Sequence, residues 1–351
     1  MKGNKPSKKK IRFKVSDRLS EYLEKYNRAT KLPILYEDMN RYMARLPLIN
    51  SAGEDTLWET VYYNETETSD INSALCYIYT LLKTDGDTDA LDHLTVDRID
   101  YCTFGNTKPF RVRIINLLND NYDHFYIKKS DASRIYGLEL EELLSPSSIN
   151  YLTGHHTLVE EHIAGMPGDV FVENHLNVSK LDQIRIAKEF IKFNVRCFVR
   201  LLGDMRAYNF IVDITPDIEG NQYRIRAIDF DQQSYEGWKS FYLPQYFKEN
   251  NPIINVGLEH LNHDTVTQYQ LEERSLIARR ARATRTRLNE LLRVMIKDDI
   301  SFPQKVKSLK EDLAYHHKNQ SFNECNSMGE IVLNNIRLVL QKEFTQSIIE
   351  V

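Results

Sequence analysis

Apolar residues recur at helical spacing in the first part of the chain. Leu75 and Ile78 lie three positions apart on one apolar stripe, and Ser16 stands where a cap would open an earlier helix. Spacing of this kind predicts amphipathic helices. We therefore expect a helical N-terminal extension over residues 15–93, preceded by a basic flexible tail over residues 1–14.

The spacing changes to alternation from residue 94. Apolar and polar residues alternate there, with Gly and Pro in the intervening turns, which is typical of antiparallel strands. One predicted helix, over residues 134–144, interrupts the series after the third strand. The predicted strands cover residues 96–101, 110–117, 124–128, 149–152 and 157–163.

Helical spacing returns after a loop rich in Gly and Pro at residues 164–168. Ser179 with Asp182 three positions later matches a capping pattern, and the apolar stripe behind it predicts a long buried helix that ends at Gly203. A hairpin and four helical stretches are predicted beyond it. These are the strands 210–214 and 223–228 and the helices 258–261, 268–296, 303–315 and 328–342. The fold class is therefore α+β.

Composition narrows the functional classes. Hydrophobic residues make up 42% of the chain and charged residues 27%, as in ordinary globular proteins. The formal net charge of -4 disfavours a globally basic nucleic-acid binder. No stretch approaches the roughly 20 apolar residues of a membrane helix, so no membrane partner is expected. The four cysteines are far apart in sequence, which favours free thiols in a reducing cytoplasm over disulfides or zinc.

Two short motifs carry the candidate chemistry. In the first, Gly203 and Asp204 follow the long helix, and Asn209 stands five positions after the Asp. In the second, an apolar run ends in Asp229 and Asp231, two carboxylates at strand spacing. A single Asp after a helix is usually a solvated turn residue. Acids that end an apolar strand are costly unless they meet a cation, so the two motifs together favour a functional site.

The order of these elements and motifs resembles the protein-kinase-like superfamily over residues 94–340. The Gly-Asp pair at 203–204 is closest in style to the aminoglycoside-phosphotransferase and HipA-like kinase branches. The resemblance implies a two-lobed protein-kinase-like fold that carries the helical N-terminal extension. A small antiparallel β lobe is expected over residues 94–165, and a mainly helical large lobe over residues 166–351.

The resemblance also implies catalytic and metal-binding roles, residue by residue. Asp204 is expected to be the catalytic base that accepts the proton of an acceptor hydroxyl, and Arg206 is expected to steady the γ-phosphate of ATP. Asn209, Asp229 and Asp231 are expected to hold Mg²⁺, a hard cation that prefers oxygen ligands.

Nucleotide-binding residues are implied in the same way. Lys128 matches the strand lysine that grips the α- and β-phosphates, with Lys129 as a rival, and Glu139 matches its ion-pair partner, with Glu142 as a rival. The family's glycine-rich phosphate loop is missing. In its place the backbone cradle is expected from Gly105, Asn106 and Thr107.

The function implied is an ATP- and Mg²⁺-dependent phosphotransferase that transfers the γ-phosphate to a hydroxyl of a small molecule or of a protein. Its expected partners are the nucleotide and an acceptor that the sequence does not identify. The main alternative is a catalytically weak pseudokinase that senses nucleotide or binds a partner, which the missing glycines favour.

A third interpretation rests on an arginine patch at residues 279–287. Arginine recognises phosphate well, so this patch keeps a nucleic-acid partner open. That interpretation leaves both carboxylate motifs unexplained, and a charged helix face is the simpler explanation. The patch consists of Arg279, Arg280, Arg282, Arg285 and Arg287.

Overall fold

A computed structural model of the chain describes residues 10–50, 52–84, 86–89, 91–104 and 107–341. The chain divides into two compact units, and both are discontinuous in sequence. The first unit contains the residues up to Asp131 together with Ile149–His162. The second unit contains Ala132–Ser148 and the residues from Ile163 onward.

The first unit is built on one antiparallel sheet of seven strands, in the order β1-β2-β3-β4-β5-β7-β6. The five strands predicted between residues 94 and 163 are confirmed as β3 to β7. The strands are β1 (Ala44–Ile49), β2 (Asp55–Tyr62), β3 (Leu94–Cys102), β4 (Phe110–Asn116), β5 (Asn121–Lys129), β6 (Tyr151–Gly154) and β7 (Thr157–Glu161), and the helices are α1 (Asp17–Lys25), α2 (Tyr36–Met39) and α3 (Glu65–Lys83).

The core of the first unit lies between α3 and one face of the sheet. Leu75 and Ile78 of α3 are fully buried in the same apolar cluster as Val112 of β4 and Phe125 of β5. The helix contributes residues at three-to-four spacing, and β4 and β5 contribute every second residue, so both periodicities in the sequence converge on one core.

The prediction of a wholly helical extension is wrong between residues 44 and 62, where β1 and β2 form a hairpin. Trp58 of β2 pairs with Cys102 of β3, so the sheet continues across the boundary that the sequence suggested at residue 94. Thr, Trp and Val in β2 favour strands, and Gly53 at φ +81° supplies a turn that suits a hairpin. The predicted helix capped by Ser16 is confirmed as α1.

The second unit is mainly helical, with a small antiparallel sheet in the order β10-β9-β8. The predicted hairpin is confirmed as β9 and β10, whereas the helix predicted over residues 268–296 is broken at Thr284. Its strands are β8 (Met166–Pro167), β9 (Phe210–Asp217) and β10 (Gly220–Ala227), and its helices are α4 (Ala132–Leu144), α5 (Gly168–Asn174), α6 (Lys180–Arg200), α7 (Asn251–His260), α8 (His263–Ala283), α9 (Arg285–Lys297), α10 (Pro303–His317) and α11 (Met328–Gln341).

Helix α4 belongs to the second unit, although the sequence placed it among the strands of the β lobe. Almost every residue of α4 is buried, including two acids. Glu139 is bound by Arg287 of α9 at 2.8 Å, and Glu141 is bound by Arg200 of α6. Buried charges need such partners, and strand-helix-strand order in the sequence does not reveal them.

None of the described helices is both long enough and apolar enough to cross a membrane. The basic tail predicted over residues 1–14 lies outside the described residues up to residue 9.

Candidate active site

The loop after α6 holds Asp204 in a constrained backbone position. At Gly203, a Cβ atom would lie 2.6 Å from the Phe241 ring, so a side chain there would force the ring to move. Asp204 has a φ of +60°, in the left-handed region that non-glycine residues rarely adopt. Its amide N–H donates to the Phe241 carbonyl oxygen at 3.1 Å. The packing around the loop therefore determines where the Asp204 carboxylate lies.

Arg206 links Asp204 to a second acid. Its Nε donates to Asp204 Oδ1 at 2.8 Å, and its Nη1 donates to Glu249 Oε1 at 2.7 Å. The guanidinium lies 5.0 Å from the centroid of the Phe247 ring. Neither sequence motif identified Glu249, because it lies beyond the second motif on a short turn without a recognisable pattern.

Burial raises the pKa of the Asp204 carboxyl above its ordinary value. The hydrogen bond and positive charge of Arg206 lower this pKa, whereas the negative charges of Asp229 and Glu249 raise it further. A carboxylate in these surroundings takes up a proton more readily than a solvated one, which suits a general base.

The β9–β10 hairpin brings the two sequence motifs together. Phe210 at the start of β9 pairs with Ala227 at the end of β10. The N–H of Ile228 donates to the carbonyl oxygen of Asn209 at 3.1 Å, and Asn209 Nδ2 donates to the backbone oxygen of Asp204 at 2.7 Å. The loop that carries Asp204 and Asn209 therefore lies beside the strand end that leads into Asp229.

Asp229 and Asp231 converge on one guanidinium. Arg134 Nη1 donates to Asp229 Oδ1 and to Asp231 Oδ1, each at 2.8 Å. The N–H of Asp231 also donates to Asp229 Oδ1 at 3.0 Å. The Arg134 side chain is 2% exposed, whereas those of Asp229 and Asp231 are 33% and 15% exposed. The acid pair therefore binds a cation supplied by the protein itself.

Sequence reasoning missed Arg134, although it predicted a helix there. Arg134 lies in the first turn of α4, and Gly137, one turn later, packs against Phe230. A Cβ atom on Gly137 would lie 3.0 Å from Cβ of Phe230, so glycine lets the helix approach the Asp-Phe-Asp segment closely. An arginine in the first turn of a helix has no local signal that distinguishes it from a solvated residue.

Lys128 of β5 lies in the first unit and is buried. Its Nζ donates to Glu160 Oε2 of β7 at 2.6 Å, and the two residues are 7% and 4% exposed. Lys129, its rival in the sequence, pairs with Glu37 of α2 and is more exposed. Burial on a central strand therefore distinguishes the two lysines.

The predicted partner of Lys128, Glu139, belongs to the second unit with its rival Glu142. Within that unit Glu139 is bound by Arg287. The Lys128–Glu139 ion pair would join residues of the two units, and it stays a prediction. Glu160 as an acid next to Lys128 was not expected from the sequence.

The predicted phosphate cradle is only partly visible. Gly105 and Asn106 lie outside the described residues, and Thr107 lies half-buried in the connection between β3 and β4. The role of this loop stays a prediction.

The predicted metal ligands offer oxygen atoms. Asn209 uses its Nδ2 as a donor to Asp204, which leaves its Oδ1 as the acceptor atom. Together with the carboxylates of Asp229 and Asp231, this is a hard donor set of the kind that Mg²⁺ prefers. This set contains two acids and one amide. Groups of three His, Cys, Asp or Glu side chains suited to a metal ion do not occur in the part of the chain that the structure describes.

Comparison with known proteins adds little to this geometry. No protein-family model and no curated protein matches the chain. Among solved structures, the chain is similar to an ethanolamine kinase from Plasmodium vivax, at 11% identity and a TM-score of 0.31, over 75% of this chain and 92% of that one. It is also similar to Rad53 1–466 in complex with AMP-PNP, at 11% identity and a TM-score of 0.27, over 78% of this chain and 70% of that one. Likenesses at this level do not establish a fold.

Proposed function

We propose that this chain is a phosphotransferase of the protein-kinase-like kind, which transfers the γ-phosphate of ATP to a hydroxyl. The observation that carries the proposal is the meeting of two motifs: the loop that holds Asp204 and Asn209 is joined to the segment before Asp229 through the Ile228–Asn209 hydrogen bond. In phosphoryl transfer the protein mainly positions the reactants and neutralises charge, and an acid, an amide and a second acid in one place suit that task.

Asp204 is the proposed base. Its raised pKa makes it a better proton acceptor than an exposed aspartate, and Arg206 holds its Oδ1 at 2.8 Å. Its Oδ2 is then the oxygen that accepts the proton of the acceptor hydroxyl. Because Arg206 also binds Glu249, the guanidinium is fixed from two sides and keeps the base in one orientation.

Asn209, Asp229 and Asp231 would hold Mg²⁺ in this proposal. The residues fit the ion, because both acids already direct an oxygen at one positive charge, Arg134 Nη1. When bound, Mg²⁺ would offset the negative charge of the ATP phosphates. In the first unit, Lys128 is the proposed phosphate-binding cation, and Glu160 fixes its ammonium.

Mg²⁺-dependent ATP binding, measured by thermal unfolding, tests the proposal. With ATP at about 100 times its dissociation constant, the free energy of unfolding should rise by about 2.7 kcal/mol in Mg²⁺. Asp229→Asn should lose this rise. Asp204→Asn should keep it but lose phosphate transfer, and Asp264→Asn, an exposed acid of α8, should keep both. A rise in Asp229→Asn equal to that of the wild type would contradict the metal assignment.

One observation favours the alternative, a weak pseudokinase that binds nucleotide without transferring phosphate. Arg134 occupies one oxygen of each of the two predicted metal-binding aspartates, Asp229 and Asp231, and such an arginine can stand in for the metal. The same titration separates the two functions. ATP binding that is equal with and without Mg²⁺, together with no transfer to any hydroxyl acceptor, would support the pseudokinase.

A further inference from the structure

Arginines without acidic partners gather on one part of the second unit. Arg279 and Arg280 lie near the end of α8, and Arg224 and Arg226 lie on β10. Among the described residues, no ion pair involves any of the four. Arg226 Nη2 donates to the Ser148 carbonyl oxygen at 3.0 Å. We call these four residues the arginine cluster.

Arg196 of α6 fixes β10 next to α8. Its Nη1 donates to Glu273 Oε1 of α8 at 3.3 Å, and its Nη2 donates to the Ile225 carbonyl oxygen of β10 at 3.1 Å. Ile225 directly follows Arg224. Arg280 stands seven residues after Glu273 and therefore lies on the same face of α8, two turns further along. Helix α8 and strand β10, which carry the four arginines, are thus both bound by the buried guanidinium of Arg196.

The segment after α4 closes the cluster on a second side. Thr284 Oγ1, just after α8, lies 3.5 Å from the Leu143 carbonyl oxygen, and Arg226 binds Ser148. Residues 143–148 therefore connect the end of α8 to β10. Three elements of the second unit surround the cluster.

Two guanidinium nitrogens of the cluster are buried and have no hydrogen-bond partner among the described residues: Arg280 Nη1 and Arg226 Nε. Buried donors without a partner are rare in folded proteins, and a missing ion or water is a common reason for them. Their charges also repel. Burial lowers the pKa of Arg280, and the positive charges of Arg196, Arg224 and Arg279 lower it further. Glu273 opposes this effect, but it is already bound to Arg196.

We propose that the arginine cluster is a binding site for a phosphate group, either free phosphate or a phosphate monoester. Planar guanidinium groups match the geometry of phosphate oxygens, and a dianion would satisfy the buried donors and offset the crowded positive charge. The structure also changes which residues belong to the arginine patch that the sequence suggested. Arg287 leaves it, because it binds Glu139, and Arg224 of β10 joins it.

Thermal unfolding in inorganic phosphate tests this site without any nucleotide, so its result is independent of the proposed phosphotransferase activity. The reference is sodium chloride at the same ionic strength. We expect phosphate at about ten times its dissociation constant to raise the Tm of the wild type by about 2 °C or more. Arg280→Gln should abolish this rise, and its Tm in sodium chloride should equal or exceed that of the wild type, because one crowded charge is gone.

Two further variants show whether the phosphate response is specific to the arginine cluster. Arg293→Gln removes an exposed arginine of α9 and should keep the full phosphate response. Arg224→Gln changes an exposed strand residue, so folding is preserved, and it should weaken the response. If Arg280→Gln keeps the response, or if it unfolds at a lower Tm than the wild type in sodium chloride, Arg280 is structural and the site is refuted. Binding of a single-stranded oligonucleotide without any response to phosphate would also refute it, in favour of a polymer.

Discussion

Two cation-carboxylate groups in this chain are built differently. In the first unit, one ammonium meets one carboxylate: Lys128 binds Glu160, and both side chains are less than 10% exposed. In the second unit, one guanidinium is shared by two carboxylates, and Asp229 keeps 33% of its side chain exposed. The first group is buried on both sides, whereas the second places two carboxylates on one guanidinium and reaches solvent through Asp229. This difference makes the second group the place where an added cation should act.

The largest effect is expected from breaking the sealed pair. Glu160→Gln leaves the Lys128 ammonium buried without its carboxylate and should lower the free energy of unfolding by about 3–5 kcal/mol. Lys129→Met, which removes the more exposed pair with Glu37, should cost no more than about 1 kcal/mol. Urea unfolding measures both. A loss below about 1 kcal/mol in Glu160→Gln would mean that the pair is not effectively buried.

A smaller effect, which added metal can reverse, is expected at the shared cation. Arg134→Gln removes two charged hydrogen bonds of 2.8 Å and should cost about 2 kcal/mol in the presence of a chelator. Because Asp229 and Asp231 then repel each other without a cation, millimolar Mg²⁺ should restore much of this loss. Mg²⁺ should not restore Glu160→Gln, since that variant removes a carboxylate beside a buried ammonium and an added cation cannot replace a carboxylate. If Mg²⁺ restores the same free energy of unfolding in Arg134→Gln and in Glu160→Gln, the proposed distinction between the two groups is wrong.

The smallest effect is a pH dependence at Asp204. Its folded-state pKa is raised above the ordinary 3.8, so the folded protein binds the proton more tightly than the unfolded chain does. Stability should therefore fall as the pH rises from the ordinary value through the raised one. Asp204→Asn removes this contribution. The free energy of unfolding of the variant should therefore decline less between pH 4 and pH 7 than that of the wild type. A steeper decline in the variant would contradict the raised pKa.

Local patterns in the sequence predict much of this structure. Strand β4 alternates between buried and half-buried residues because one face of it packs on α3, and the meeting of Asn209 with the segment before Asp229 follows from a hairpin with a short turn. The β1–β2 hairpin was missed because β1 is almost wholly exposed, and exposed strands show little alternation.

The partners of buried charges were not predictable. Arg134, Glu160 and Glu249 were missed because their roles depend on which elements pack together, not on their neighbours in sequence. The helix that contains Arg134 was predicted correctly, but its place in the second unit was not. Identity and spacing reveal Asp204, Asp229 and Asp231, whereas Arg134, which binds the last two, comes from a distant segment.

The split arrangement of α4 has a consequence during synthesis. The helix leaves the ribosome before Arg200, Asp229 and Arg287, the residues that meet its buried charges. Arg287 follows Glu139 by about 150 residues, which takes on the order of 10 s to translate. Until then the charged side chains of α4 lack the ion-pair partners that they have in the folded second unit. The second unit can become native only after most of the chain has been made, and a cut after residue 162 would separate Arg134, Glu139 and Glu141 of α4 from their ion-pair partners.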